Sequence, residues 1–211
     1  MRLVVVSDTH GLHDRMPPIP DGDVLVHAGD LTVTGTLAQA REALQWLAGL
    51  PHRHKILIAG NHDFLFERDA DAAEALVPPN VIYLRDRGVV LDGIRCWGSP
   101  WQPEFFQWAF NLPRGEPLAR VWAKIPDDTQ VLVTHGPPKG ILDRVLVGRG
   151  GHEGCADLRH RIAELRDLRL HAFGHIHEGY GSTTIDGCQF VNASINTVGY
   201  EPVNPPIVAD V

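Results

Sequence analysis

Seven side chains of coordinating type stand behind short apolar runs of this 211-residue chain: Asp8, His10, Asp30, Asn61, His135, His175 and His177. A further imidazole, His62, adjoins Asn61. Carboxylate, carboxamide and imidazole groups without thiolate suit Mn²⁺, Fe²⁺ or Zn²⁺ and argue against Ca²⁺ or Cu⁺. One strand end aims only one or two side chains at a point. Five strand ends meeting at one edge of a folded sheet can gather seven O and N donors, enough for a pair of divalent cations. Asp-x-His alone is usually a solvated loop, Gly29-Asp30 alone a turn, and an isolated histidine seldom a ligand. Their joint placement behind strands is what predicts a two-metal hydrolase. Two divalent cations bring four positive charges and Asp8 with Asp30 return two, which leaves a cationic site suited to phosphoryl oxygens.

The runs at residues 3–6, 24–27, 56–59, 131–134 and 170–173 are short, rich in Val, Leu and Ile, and read as buried strands. A helical period over residues 37–50, with Thr34 or Thr36 as N-cap and Pro51 as stop, puts a helix between the second and third of them. Further helices are expected around residues 69–76, from Pro117 onward with Leu118, Val121, Trp122 and Ile125, and over residues 156–168. Asp92-Gly93 and Asp186-Gly187 are type I′ hairpin signals, so the sheets are not purely parallel. Residues 100–114 carry Trp101, Phe105, Phe106, Trp108 and Phe110 and read as a loop over the site. Those aromatics either stack a nucleobase or cover a core edge. His13 and His27 lie near the expected ligands in sequence but read as a loop histidine and a buried or supporting one.

Length and composition bound the rest. With 44% apolar residues and no low-complexity tract, the chain is expected to form a single domain over residues 1–211. Lys and Arg (19) against Asp and Glu (26) give a net charge of -7, and no basic run suits a polynucleotide backbone. Long nucleic acid is an unsuitable partner, whereas a small phosphorylated substrate is compatible, because bound cations dominate the local field. Cys96, Cys155 and Cys188 are scattered and odd in number, which suggests small core residues rather than a disulfide framework or thiolate site. No stretch has the length of a signal-peptide core or a membrane span, so a cytoplasmic protein is expected.

The order Asp8-x-His10, Gly29-Asp30, Gly60-Asn61-His62-Asp63, Thr134-His135-Gly136 and Gly174-His175-x-His177 resembles the calcineurin-like metallophosphoesterase superfamily. Ile19-Pro20-Asp21-Gly22-Asp23, His27-Ala28-Gly29-Asp30-Leu31-Thr32, Gly98-Ser99-Pro100-Trp101, Thr134-His135-Gly136-Pro137-Pro138 and Gly174-His175-Ile176-His177-Glu178-Gly179 are similar to its MPPED-type phosphodiesterases. The resemblance implies an α/β fold, a four-layer αββα sandwich of two mixed β-sheets flanked by helices. It implies that Asp8, His10 and His177 hold one metal, that Asn61, His135 and His175 hold the other, and that Asp30 bridges them. His62 would be the acid for the leaving group, oriented by Asp63 or neighbours of Asp30. Some animal relatives of this type carry Gly where this chain has His175. The implied activity is hydrolysis of small phosphodiesters, cyclic nucleotides foremost, by a metal-bridging hydroxide, with Mn²⁺ the favoured ion. The rival readings are a phosphomonoesterase of the same fold and a non-catalytic nucleotide-binding scaffold.

Overall fold

The computed structural model describes residues 1–146 and 150–211. Its first half runs β1 (Arg2–Val6), β2 (Val24–His27), α1 (Leu37–Gly49), β3 (His54–Leu57), α2 (Phe64–Arg68), α3 (Ala70–Leu76), β4 (Ile82–Tyr83), β5 (Arg87–Leu91) and β6 (Ile94–Ser99). The second half runs β7 (Gln102–Pro103), β8 (Asn111–Leu112), α4 (Glu116–Trp122), β9 (Val131–Thr134), β10 (Arg144–Val145), β11 (Gly151–His152), α5 (Ala156–Ile162), β12 (Leu170–Phe173), β13 (Gly181–Ile185), β14 (Cys188–Asn192) and β15 (Ile207–Asp210).

Two mixed sheets result, ordered β15-β1-β2-β3-β4 and β13-β14-β12-β9-β6-β5. Their centres are parallel, and antiparallel partners stand at three of the edges: β15 on β1, β13 on β14 and β5 on β6. The last two are the expected hairpins, with Asp92 and Asp186 both in left-handed backbone ahead of their glycines.

Strand alternation explains the layering. In β1, Leu3 and Val5 face the second sheet, where Val131, Val133, Leu170 and Ala172 meet them in one buried cluster. Val4 and Val6 face outward onto Ala40, Leu44 and Leu47 of α1 and Phe66 of α2. On the other sheet, Leu132, Phe173 and Phe190 pack under Leu118 and Trp122 of α4 and Leu158 of α5. Helices thus cover both outer faces, which gives the four-layer αββα sandwich. Burial on both faces is why the central strands read as unbroken apolar runs rather than alternating ones.

Several boundaries differ from the sequence expectation. The third strand spans His54–Leu57 rather than residues 56–59, because pairing with β2 begins at His54 and the polar Lys55 is buried with its ammonium on His52 O at 2.9 Å. The helix expected over residues 156–168 stops at Ile162; Leu165 and Leu168 still pack inward on turns made by Leu165 N to Ile162 O and Leu168 N to Leu165 O. Strand β15 had no sequence signal, since Pro202, Pro205 and Pro206 crowd its approach. Thr36, not Thr34, caps α1, accepting from Gln39 N. No helix among the described residues is long and apolar enough to cross a membrane.

His171 lies wholly buried in β12 with Nε2 at 2.8 Å from Thr134 Oγ1. The Thr134 hydroxyl donates onward to Gly136 O at 2.8 Å, so the imidazole is the donor in the first contact. Burial pushes its pKa down from 6.5 to about 3. Between those values the unfolded chain takes a proton that the native state refuses. Stability from this residue is complete above pH 6.5 and falls by about 1.4 kcal/mol per unit as pH drops toward 3. His171→Gln keeps a donor without titrating, and denaturant melts of the metal-free protein at several pH values should show about that much less acid sensitivity.

Candidate metal centre

Strands β1, β2 and β3 of one sheet and β9 and β12 of the other run parallel within their sheets, and their C-terminal ends border one cleft of about 660 Å³. The expectation of five strand ends on a single folded sheet is corrected here: two sheets contribute, three ends and two. Asp8, His10, Asp30 and His175 all have positive φ, at 55°, 45°, 57° and 70°. Non-glycine residues rarely adopt this region, and strain of this kind collects at functional sites. Each of these positions lies two to four residues past the end of its strand, where the backbone must turn.

Three groups of donor atoms form, with mutual separations within 4.8 Å: Asp8, His10 and His177; His10, Asp30 and His62; and Asp8, Asp30 and His135. His177 Nε2 is 3.6 Å from Asp8 Oδ1, and His10 Nε2 is 4.0 Å from the same oxygen. Asp30 Oδ2 lies between His10 Nε2 at 3.7 Å and His135 Nε2 at 3.4 Å. Asn61 Oδ1 meets His135 Nε2 at 2.9 Å, and the His175 ring sits 5.0 Å from that of His135. All seven expected ligands therefore lie around one cleft, although Asn61 and His175 stand outside the three groups and join through His135.

The donor set fits a metal. His10 is buried, yet neither ring nitrogen has a hydrogen-bond partner among the described residues. Such an orphan is costly unless something occupies it. His135 and His177 use Nδ1 on Ala28 O and Thr197 O, both at 2.9 Å, which orients Nε2 toward the carboxylates.

Electrostatics bind the cluster in the metal-free state. Burial by itself would raise Asp8 and Asp30, but His177 holds Asp8 well below the usual carboxylate range, and His135 does the same to Asp30. Burial would lower His135 and His177, but Asp30 lifts the first and Asp8 the second, each to about 9. Burial, with His135 adding to it, drops His175 to about 3, and burial also lowers His10. Two imidazolium ions thus balance two carboxylates where cations would sit.

His62 lines the cleft with Nδ1 on Val33 O at 2.6 Å, its ring 4.2 Å from Trp108 and 4.6 Å from His10. Of the two expected sources of orientation, Asp63 makes no contact with the ring, and the ring contact comes from Val33, three residues after Asp30. That carboxylate accepts from Leu31 N, Thr32 N, Thr32 Oγ1 and Gly60 N, tying the loop after β2 to the loop after β3. Burial, with Asp30 nearby, pushes Asp63 up to about 6.

His13 stacks on Trp46 at 4.7 Å, and His27 meets Thr9 Oγ1 at 3.0 Å, so both serve packing. Of the aromatics in residues 100–114, Phe105, Phe106 and Trp108 wall the cleft, whereas Phe110 is core and Trp101 donates to Asp86 Oδ2 at 3.0 Å. Sequence reasoning missed Tyr200, whose ring lies 5.0 Å from His10, and the polar run after β14. Several of their partners, His10 and Asp8 among them, lie near the other end of the chain, and neither stretch bears a motif. The cysteines are free and buried, as expected.

A family model described as calcineurin-like phosphoesterase matches residues 1–179. The human metallophosphoesterase domain-containing protein 1 is 44% identical over 231 residues, covering 99% of this chain and 70% of that protein. One solved structure superposes with a TM-score of 0.67 at 17% identity, covering 92% of this chain and 90% of that one. A putative 5′-nucleotidase from Staphylococcus aureus superposes with a TM-score of 0.57 at 14% identity, covering 90% of this chain and 48% of that one. The structural likenesses speak for the fold alone, and the sequence matches go further: the chain belongs to the calcineurin-like phosphoesterase family and is a metallophosphoesterase.

Proposed function

We propose that the chain is a binuclear metal-dependent phosphodiesterase for small phosphodiesters, cyclic nucleotides foremost, with Mn²⁺ as the favoured ion. The observation that carries this reading is Asp30 Oδ2, poised between His10 on one side and His135 on the other. Asp8, His10 and His177 then form one ligand set, Asn61, His135 and His175 the second, and Asp30 the bridge. When bound, a pair of divalent cations acidifies a shared water and neutralises phosphoryl oxygens.

The protein's own part is positioning and proton supply. Val33 O engages His62 Nδ1 and Trp108 covers the ring, which leaves Nε2 for the cleft. An alkoxide leaving group needs a proton as its bond to phosphorus lengthens, and His62 supplies it. Phe105, Phe106, Trp108 and the half-exposed Tyr200 give the cleft apolar walls on which a nucleobase or other flat substituent can rest.

His62→Asn should lower kcat by roughly 10²- to 10⁴-fold while metal content stays at two ions per chain. Elemental analysis beside steady-state kinetics checks this; loss of metal in step with activity would make His62 a ligand instead. Metal loading should also release protons, because His135 and His177 are raised to about 9 and must deprotonate to coordinate. Affinity should therefore fall as pH drops below about 9, and titrations in buffers of different ionisation enthalpy would register the protons. The reaction itself is tested by comparing bis(p-nitrophenyl) phosphate with p-nitrophenyl phosphate. A preference for the diester is expected, and a strong preference for the monoester would overturn the reading.

A further inference from the structure

The family match ends at residue 179, and a polar run beyond it touches the metal centre. β14 belongs to the second sheet, but the chain after Asn192 crosses to the first. Ser7 N donates to Ala193 O and Ile195 N donates to Ser7 O, both at 2.9 Å, and Ser7 forms an isolated bridge with Ser194. This crossing lies against the end of β1, next to Asp8. Ser194 Oγ donates to Asp8 Oδ2 at 2.8 Å, and Asn196 Nδ2 donates to Asp8 O at 2.6 Å. Thr197 O receives His177 Nδ1, and Asn192 Nδ2 donates to Ile176 O at 2.8 Å, one residue before His177. Asn192, Ser194 and Asn196 are fully buried.

The consequence is a choice between two oxygens. His175 N lies almost equally near both oxygens of Asp8, at 3.1 Å from Oδ1 and 3.0 Å from Oδ2, so Ser194 Oγ is what tells them apart: it holds Oδ2, whereas Oδ1 is the oxygen nearer His177 Nε2 and His10 Nε2. Asn196 meanwhile holds the carbonyl of a residue whose own backbone is strained. Among the described residues, no side-chain hydrogen bond from Ser194, Asn196 or Thr197 reaches Asn61, His135 or His175.

We infer that residues 192–197 are a positioning strap for the Asp8–His10–His177 half of the centre, with Ser194 the positioning residue that presents Asp8 Oδ1 to the metal. The inference rests on the two-metal reading above. It requires that the two ions respond unequally when the strap is damaged.

The test is titration of the metal-free protein with Mn²⁺, following binding by equilibrium dialysis. Partners that orient a metal ligand are worth roughly 10- to 100-fold in affinity, so Ser194→Ala should weaken one of two binding steps by that factor and leave the other within about twofold. Ser194→Thr keeps the hydroxyl and should restore both. Asn204→Ala removes a 3.0 Å bond to Ser194 O without touching Asp8, and should leave both steps close to wild type. Unchanged binding in Ser194→Ala, equal weakening of both steps, or the same defect in Asn204→Ala overturns the strap. A wild-type protein that binds fewer than two ions overturns the two-metal reading instead.

Discussion

Asp30→Asn is expected to abolish turnover and to empty both metal positions. The substitution keeps size and shape, so the effect isolates one negative charge. In the metal-free protein that charge faces His135 Nε2 at 3.4 Å and His10 Nε2 at 3.7 Å, while Oδ1 accepts His62 N at 2.8 Å. With metal bound, the Asp30 carboxylate would be paired with the cations instead, and removing one partner from a buried ion pair costs about 3–5 kcal/mol. At about 1.4 kcal/mol per decade, that corresponds to roughly two to four decades of affinity. A bridge shares the loss between both ions, and two cations then face only Asp8 as a neutralising anion. Elemental analysis and hydrolysis of bis(p-nitrophenyl) phosphate read the two effects separately. Full two-metal occupancy in the variant would mean that Asp30 is not the bridge.

Gly174→Ala should be nearly as damaging, although it changes no ligand. A Cβ at this position would overlap Asp8 Oδ2 and Ser7 Oγ and would sit 2.6 Å from Ser7 Cβ. None of these groups can retreat easily. Ser7 and Asp8 follow directly on β1, with Ser7 bridged to Ser194, and Asp8 Oδ2 already holds Ser194 and His175. The turn carrying His175 and His177 must move, and overpacking of this kind costs about 1–3 kcal/mol, or more when rigid groups collide. Loss of the Asp8–His10–His177 ion is expected, with the second weakened through His175, and with a Tm lowered by roughly 2–4 °C per kcal/mol for a chain of this size. Gly49→Ala is the contrast: it ends α1 with nothing within 4 Å and should be neutral or slightly stabilising. Melting curves and metal content of the two variants, side by side, test the argument; wild-type occupancy in Gly174→Ala would refute it.

These two positions mark what could be read from the chain. Asp30 is legible because the signal is local: a carboxylate after glycine, behind an apolar run buried on both faces of a parallel sheet. The same holds for Asp8, His135 and His177, and for both Asp-Gly turns. Gly174 is visible as a motif letter, but its steric reason is not, since it depends on Asp8 and Ser7 arriving from 166 and 167 residues away (174 − 8 and 174 − 7). Trp108 could be read only as an aromatic in a loop. That it lies on His62 follows from how residues 100–114 fold back over the strand ends.

Asp63 illustrates the limit from the other side. Its neighbour in sequence is His62, and proximity suggested a partnership. The side chain instead turns inward to four donors across the loops after β2 and β3, because a buried carboxylate must be saturated with hydrogen bonds and a cleft-facing one need not be.

The sequence by itself determined the chemistry: which atoms can coordinate, that they follow strands, and that their charges leave room for cations and a phosphate. Tertiary structure alone brought Asp8, His10, Asp30, His135 and His177 within reach of one another, set Ser194 Oγ on Asp8 Oδ2, and laid Asn196 and Thr197 against Asp8 and His177. The physical reason is range. Coordinating type and strand periodicity are properties of a few adjacent residues, whereas the orientation of a ligand is set by hydrogen bonds and contacts between segments that only the packing of two sheets brings together.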